Sequence, residues 1–225
     1  MKSLNQYFDH TLLKPDATED DIDRLCQEAI ANEFYAVCVN SCYVETAADR
    51  LAGTGVKIAA VVGFPLGACT APTKVFETEE ACCAGASEVD MVLNVGRFRS
   101  GDLSYCQKEI ESVVHAAAEY NAIVKVILET CLLSDQEIVR ASEMARTAGA
   151  QFVKTSTGFS TGGAQETHVR LMKETVGADC QVKASGGIRD LATAQAMIAA
   201  GATRIGASAS VAILEEAKAA GITQL

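Results

Sequence analysis

The ten residues Gly149 to Gly158, GAQFVKTSTG, decide the fold. Gly149 closes a run of helical periodicity that starts at Ser134, and glycine suits the left-handed residue that stops a helix and turns the chain into a strand. The β-branched and aromatic residues that follow read as a buried strand over 151–157. The same junction recurs as Gly85-Ala86 before EVDMV and as Gly201-Ala202 before TRIGA, so the chain carries a weak internal repeat of helix, glycine, alanine and strand.

Extending that unit in both directions gives eight strand candidates, over 7–13, 36–40, 57–64, 88–95, 122–129, 151–157, 181–187 and 203–208. Eight amphipathic runs follow them, over 18–33, 42–53, 73–86, 103–121, 134–149, 163–177, 190–201 and 210–221. Ser134-Asp135-Gln136-Glu137 has the residues of a capping box. Strand starts lie roughly 21 to 35 residues apart, the length of a βα unit, and eight such units predict an α/β fold closed as a (β/α)8 TIM barrel. The rival, a doubly wound open sheet, would ideally carry a G-x-G-x-x-G turn after its first strand, and this chain has none.

Composition narrows the function. Hydrophobic residues make up 49% of the 225 and charged residues 21%, with no linker or low-complexity run, so residues 1–225 are expected to form one barrel domain. The net charge of −10 argues against nucleic acid as a partner, because phosphate-backbone binding needs clustered Lys and Arg. No apolar segment is long enough for a membrane span or a signal peptide, and the expected location is cytoplasmic. The nine cysteines lack paired metal-site spacings and read as reduced thiols. With the three histidines far apart in sequence, no metal or other cofactor is expected.

Lys154 interrupts the quoted strand, and Lys183 interrupts the next one in the same way, in QVKASGG. An unpaired ammonium inside a strand is costly to desolvate. A single strand lysine is ordinarily a snorkelling or ion-paired side chain. Two on neighbouring strands, at the end of a barrel where functional groups gather, point to like charges that lower the pKa of one amine and make it a nucleophile toward a carbonyl. Asp90, set among Val, Met and Leu, reads as a counter-ion and proton shuttle. Lys57 stands at a strand start and reads as solvated, Lys125 as the partner of an interior acid. Asp9 and Glu129 are weaker candidates near strand ends, and Cys38 reads as a packed core thiol. Gly186-Gly187 and Gly206-Ala207-Ser208 close strands seven and eight, where exposed amides and the start of the last helix near Ser210 suit a phosphate.

FVKTSTGF, VKASGGIR, EVDMVLNVG, the opening DHTLL and the closing RIGAS, in this order along nearly the whole chain, resemble the deoxyribose-phosphate aldolase family. The resemblance implies a metal-free class I aldolase that reversibly cleaves 2-deoxy-D-ribose 5-phosphate to acetaldehyde and D-glyceraldehyde 3-phosphate. It implies Lys154 as the Schiff-base lysine, Lys183 as the lysine that depresses its pKa, and Asp90 as the acid/base acting through a water. The backbone near Gly158, Gly186, Gly187, Gly206 and Ser208 would anchor the phosphate. Phe159 stands where some relatives have a lysine, which leaves phosphate affinity to amides and helix dipole. The chain also ends AKAAGITQL, without the terminal tyrosine of some relatives. Expected partners are small phosphosugars and aldehydes, with the chain as a homodimer or higher homo-oligomer.

Overall fold

The computed structural model describes residues 2–224. Its strands are β1 (Phe8–Leu12), β2 (Ala36–Val39), β3 (Lys57–Val62), β4 (Glu88–Val92), β5 (Ile123–Ile127), β6 (Phe152–Lys154), β7 (Gln181–Ser185) and β8 (Arg204–Ala207). They pair in parallel in sequence order, and β8 pairs back onto β1 to close the barrel. Outside lie α1 (Glu19–Ala31), α2 (Val44–Leu51), α3 (Ala71–Cys83), α4 (Val95–Arg99), α5 (Leu103–Ala118), α6 (Asp135–Thr147), α7 (Glu166–Val176), α8 (Leu191–Ala199) and α9 (Ser210–Ala219).

The period-2 geometry of a strand sorts the side chains into two populations. Val37, Val39, Ile58, Ala60, Val89, Met91, Val124, Val126, Val153, Val182 and Ile205 join one large apolar cluster with the helix faces. The alternate residues belong to the other population, and they include Asp9, Asp90, Lys125, Lys154, Lys183 and Arg204, all buried. Outward faces therefore hold the barrel together, while the inside carries charge. A smaller apolar cluster of Leu13, Cys38, Ala59 and Val61, with Phe64 packed against it, lies on the β1 to β3 side.

The opening stretch folds as its sequence requires. α6 starts with a reciprocal box in which the Glu137 amide donates to Ser134 Oγ and the Ser134 amide donates to Glu137 Oε2 at 2.8 Å. Gly149 ends it at φ +89°, and β6 follows. The strands are shorter than the sequence reading has them, and two stop well before their predicted ends. The predicted fourth strand stops at Val92, because the Asn94 side chain accepts from the Arg97 amide and caps the short α4. The predicted sixth strand stops at Lys154, where the chain turns over the mouth of the barrel.

Candidate active site

Register places the two lysines. Lys154 on β6 pairs with Lys183 on β7, Lys183 with Arg204 on β8, and Asp90 on β4 with Lys125 on β5, so all five side chains enter the interior at neighbouring positions. The sequence reading has two ammonium groups facing each other. The structure sets a carboxylate between them: Asp90 Oδ2 accepts from Lys154 Nζ at 2.8 Å and from Lys183 Nζ at 2.7 Å. Asp90 Oδ1 accepts from Lys125 Nζ at 2.7 Å, which gives Lys125 its interior acid. Lys57 is exposed at its strand start, as read from sequence.

Asp9 is more than a strand-end polar residue. It is fully buried, with Oδ2 at 2.5 Å from Lys183 Nζ and Oδ1 at 2.6 Å from Arg204 Nη1. Glu88 completes the cluster, contacting Lys125 at 2.6 Å and Arg204 at 3.0 Å. Charges taken from water cost several kcal/mol each unless paired and hydrogen-bonded. Each charge here lies against at least one of opposite sign, while Arg204 Nε has no hydrogen-bond partner among the described residues.

The pairing governs protonation. Burial alone would raise the carboxyls of Asp9 and Asp90; for Asp9 the ammonium of Lys183, then Arg204 and Lys125, outweigh it, and for Asp90 Lys125, Lys154 and Lys183 do, so both stay well below the usual range. Burial would lower Lys183, but Asp9 and Asp90 reverse the sign and raise it, so Lys183 is a fixed cation. Lys125 is raised against burial by Asp90 and Glu88. The Cys38 thiol is pushed up by burial, which keeps it a thiol in the small apolar cluster rather than a thiolate.

Above the cluster a cavity of about 240 Å³ opens at the C-terminal ends of the strands. Lys154 lies on its wall, as do Gly158, Gly186, Gly187, Gly206 and Ser208, whereas Lys183 and Asp90 are fully buried off the lining, Asp90 being bonded to both lysines. Arg189 and Lys14 line it as well. The sequence reading assigned the anion-binding end to amides and missed these cations, although IR follows the double glycine directly. Gly206 has a second use, since a Cβ there would sit 3.0 Å from Lys183 Cε and 3.1 Å from Ser185 Cβ.

The loops that carry these groups are clasped together. Thr155 Oγ1 donates to the Ser185 carbonyl at 3.0 Å, Ser185 Oγ donates to the Ser156 carbonyl at 2.7 Å, and the Ala164 amide donates to the Gly186 carbonyl at 2.9 Å. Glu129, buried at the end of β5, accepts from the Thr157 amide and hydroxyl and so holds the turn after Lys154. Phe159 packs edge-on against Phe64 at 5.3 Å between centroids, roofing the mouth.

Comparison with known proteins places the chain in a family. The family model of the DeoC/LacD family aldolases matches residues 4–216. A deoxyribose-phosphate aldolase of Clostridium novyi is 57% identical over 96% of this chain and 97% of that protein. One from Brevibacillus brevis is 55% identical over 97% and 98%. The structure of a tetrameric deoxyribose phosphate aldolase from Aeropyrum pernix superposes with a TM-score of 0.90 at 36% identity, covering 96% of this chain and 92% of that one. With the model matched over almost its whole length, this chain belongs to the DeoC/LacD aldolase family.

Proposed function

We propose that Lys154 is the nucleophile of a class I aldolase reaction in which 2-deoxy-D-ribose 5-phosphate is reversibly cleaved to acetaldehyde and D-glyceraldehyde 3-phosphate. The observation that carries the assignment is the position of Lys154, on the cavity wall and sharing one Asp90 oxygen with Lys183. Attack on the substrate aldehyde requires the free amine. Lys154 stands in the interior with three further cations, Lys125, Lys183 and Arg204, and three carboxylates, Asp9, Glu88 and Asp90.

Amine addition gives a carbinolamine, and loss of water gives a protonated imine. The imine accepts the electron pair of the breaking C–C bond as a base removes the proton of the hydroxyl on the departing fragment. D-Glyceraldehyde 3-phosphate leaves, and an enamine remains on Lys154. Protonation at carbon and addition of water then release acetaldehyde and restore the amine. Asp90 relays the protons, directly or through a water, and Lys183 supplies a fixed positive charge beside it. The backbone near Gly158, Gly186, Gly187, Gly206 and Ser208, with Arg189 and the N-terminus of α9, anchors the phosphate away from the reacting carbons.

We further infer a homo-oligomer, in line with the tetrameric relative, and a reducing, cytoplasmic setting, in line with nine free cysteines. No helix among the described residues is long and apolar enough to cross a membrane. A retro-aldol assay tests the substrate. Acetaldehyde is expected from deoxyribose 5-phosphate and not from a ketose phosphate, with release abolished in Lys154→Leu. The reverse preference would reject the assignment.

A further inference from the structure

Arg204 opens β8 at the N-terminal end of the barrel, away from the cavity, yet it is only 4% exposed. Its guanidinium lies 3.6 Å from the centroid of the Tyr35 ring, which closes the barrel from below. Its register partner on β7 is Lys183, another cation. Two like charges at neighbouring inward positions would repel. The molecule inserts Asp9 between them, one oxygen to each, at 2.6 Å and 2.5 Å. Arg204 also reaches Glu88 with both terminal nitrogens, at 3.0 Å and 3.3 Å, and Glu88 in turn holds Lys125.

We propose that Arg204 is a positioning residue for imine formation, which fixes Asp9 and Glu88 from the closed end of the barrel and through them sets the placement and charge balance of Lys183 and Lys125 around Asp90. The proposal rests on the reading of Lys154 given above. The planar fork suits the task, because one guanidinium orients two carboxylates at once and an ammonium is a single point of charge. Arg204 remains charged throughout, its carboxylate partners having reversed the effect of burial. The groups that face the relay are Asp9 from β1, Cys38 from β2, Glu88 and Asp90 from β4, Lys125 from β5, Lys154 from β6, Lys183 from β7 and, below Arg204, Lys2. The charged groups among them, apart from Lys154 itself, set the field at the reacting amine, and a change of charge at either Arg204 or Glu88 reaches it without any contact with substrate. Neither residue lines the cavity.

The test compares Arg204→Met, Arg204→Lys and Glu88→Gln by the pH dependence of imine formation from acetaldehyde, after the wild-type adduct has been located on Lys154. A wild-type adduct elsewhere would contradict the Lys154 reading itself, a failure distinct from that of the relay. Loss of the Arg204 charge makes the cluster more negative, so the amine holds its proton more firmly and the acid limb moves up, by about one pH unit. Loss of the Glu88 charge moves it down by a similar amount. Arg204→Lys restores the limb, and kcat for the phosphosugar falls about tenfold in Arg204→Met with KM nearly unchanged. A merely structural role would shift both charge-changing variants in the same direction or leave the limb in place, and either result overturns the proposal. Should Arg204→Met fail to fold, the sign of the Glu88→Gln shift decides alone.

Discussion

Three ammonium groups converge on the carboxylate of Asp90, and that crowding sets the behaviour of each. Removing Lys183 takes away the fixed cation that faces both Asp9 and Asp90, so Lys183→Leu is expected to slow imine formation by about a hundredfold or more, read by rapid-quench trapping. An almost unchanged rate would count against any coupling of Lys154 to its neighbour. Gly206→Ala probes the same lysine by shape. The added methyl would press on Lys183 Cε, and we expect about a tenfold loss of trapping rate at a stability cost of about 1–3 kcal/mol, compared by urea unfolding. Lys154, Lys183 and Asp90 are legible in the sequence because two lysines recur in the same setting on neighbouring strands and an acid stands among Val, Met and Leu, where charge is costly unless paired. Asp9, Glu88 and Arg204 are not legible in that way. They stand at or next to strand starts, where polar residues are common, and only the register of the closed barrel turns them inward.

Among the elements, α3 and α5 are joined by a pair that is invisible to catalysis. Lys74 and Glu109 are both fully enclosed at 2.7 Å, and Lys74 also donates to the Val92 carbonyl at the end of β4. Gly63, at φ +61°, makes the room: a Cβ there would meet Lys74 Cε at 2.8 Å. Burial raises the Glu109 carboxyl, and its Oε1 has no hydrogen-bond partner among the described residues. Lys74→Met is therefore expected to cost about 3–5 kcal/mol in urea unfolding, while the double variant Lys74→Met/Glu109→Leu recovers most of that loss. Equal losses in both would show that the cost is packing and not a stranded charge. The elements themselves were largely legible. Helix-ending glycines and the Ser134 box mark the units, and the outward Val and Ile residues give the strands away. The short α4 was hidden, because EVDMVLNV continues as an apolar run and the cap at Asn94 interrupts it with a single polar side chain.

At the scale of the whole molecule, the barrel trades an apolar interior for a charged one, and its pH dependence follows. Asp9 and Asp90 are depressed in the folded state, so the unfolded chain, with carboxyls near about 3.9, takes up protons first as pH falls. Their stabilisation is complete above about pH 5 and drains away below it. Lys125 and Lys183 are raised, so their contribution is complete below the unfolded value of about 10.4 and is lost as pH climbs beyond it. The cluster's share of the urea midpoint is expected to hold between about pH 5 and 10 and to fall on both sides, with little dependence on salt because the cluster is buried; His10, lowered by burial, adds a separate loss as pH drops through about 6.5. A midpoint that rises on acidification from pH 5 would contradict that sign. The charged interior exists, in this account, to present one amine to a carbonyl. The most direct measurement is reduction of the enzyme with borohydride in the presence of acetaldehyde, followed by peptide mass spectrometry. An N-ethyl group is predicted on Lys154 and nowhere in the Lys154→Leu variant; an ethyl group on a different lysine of the wild-type chain, or none at all, would contradict the account.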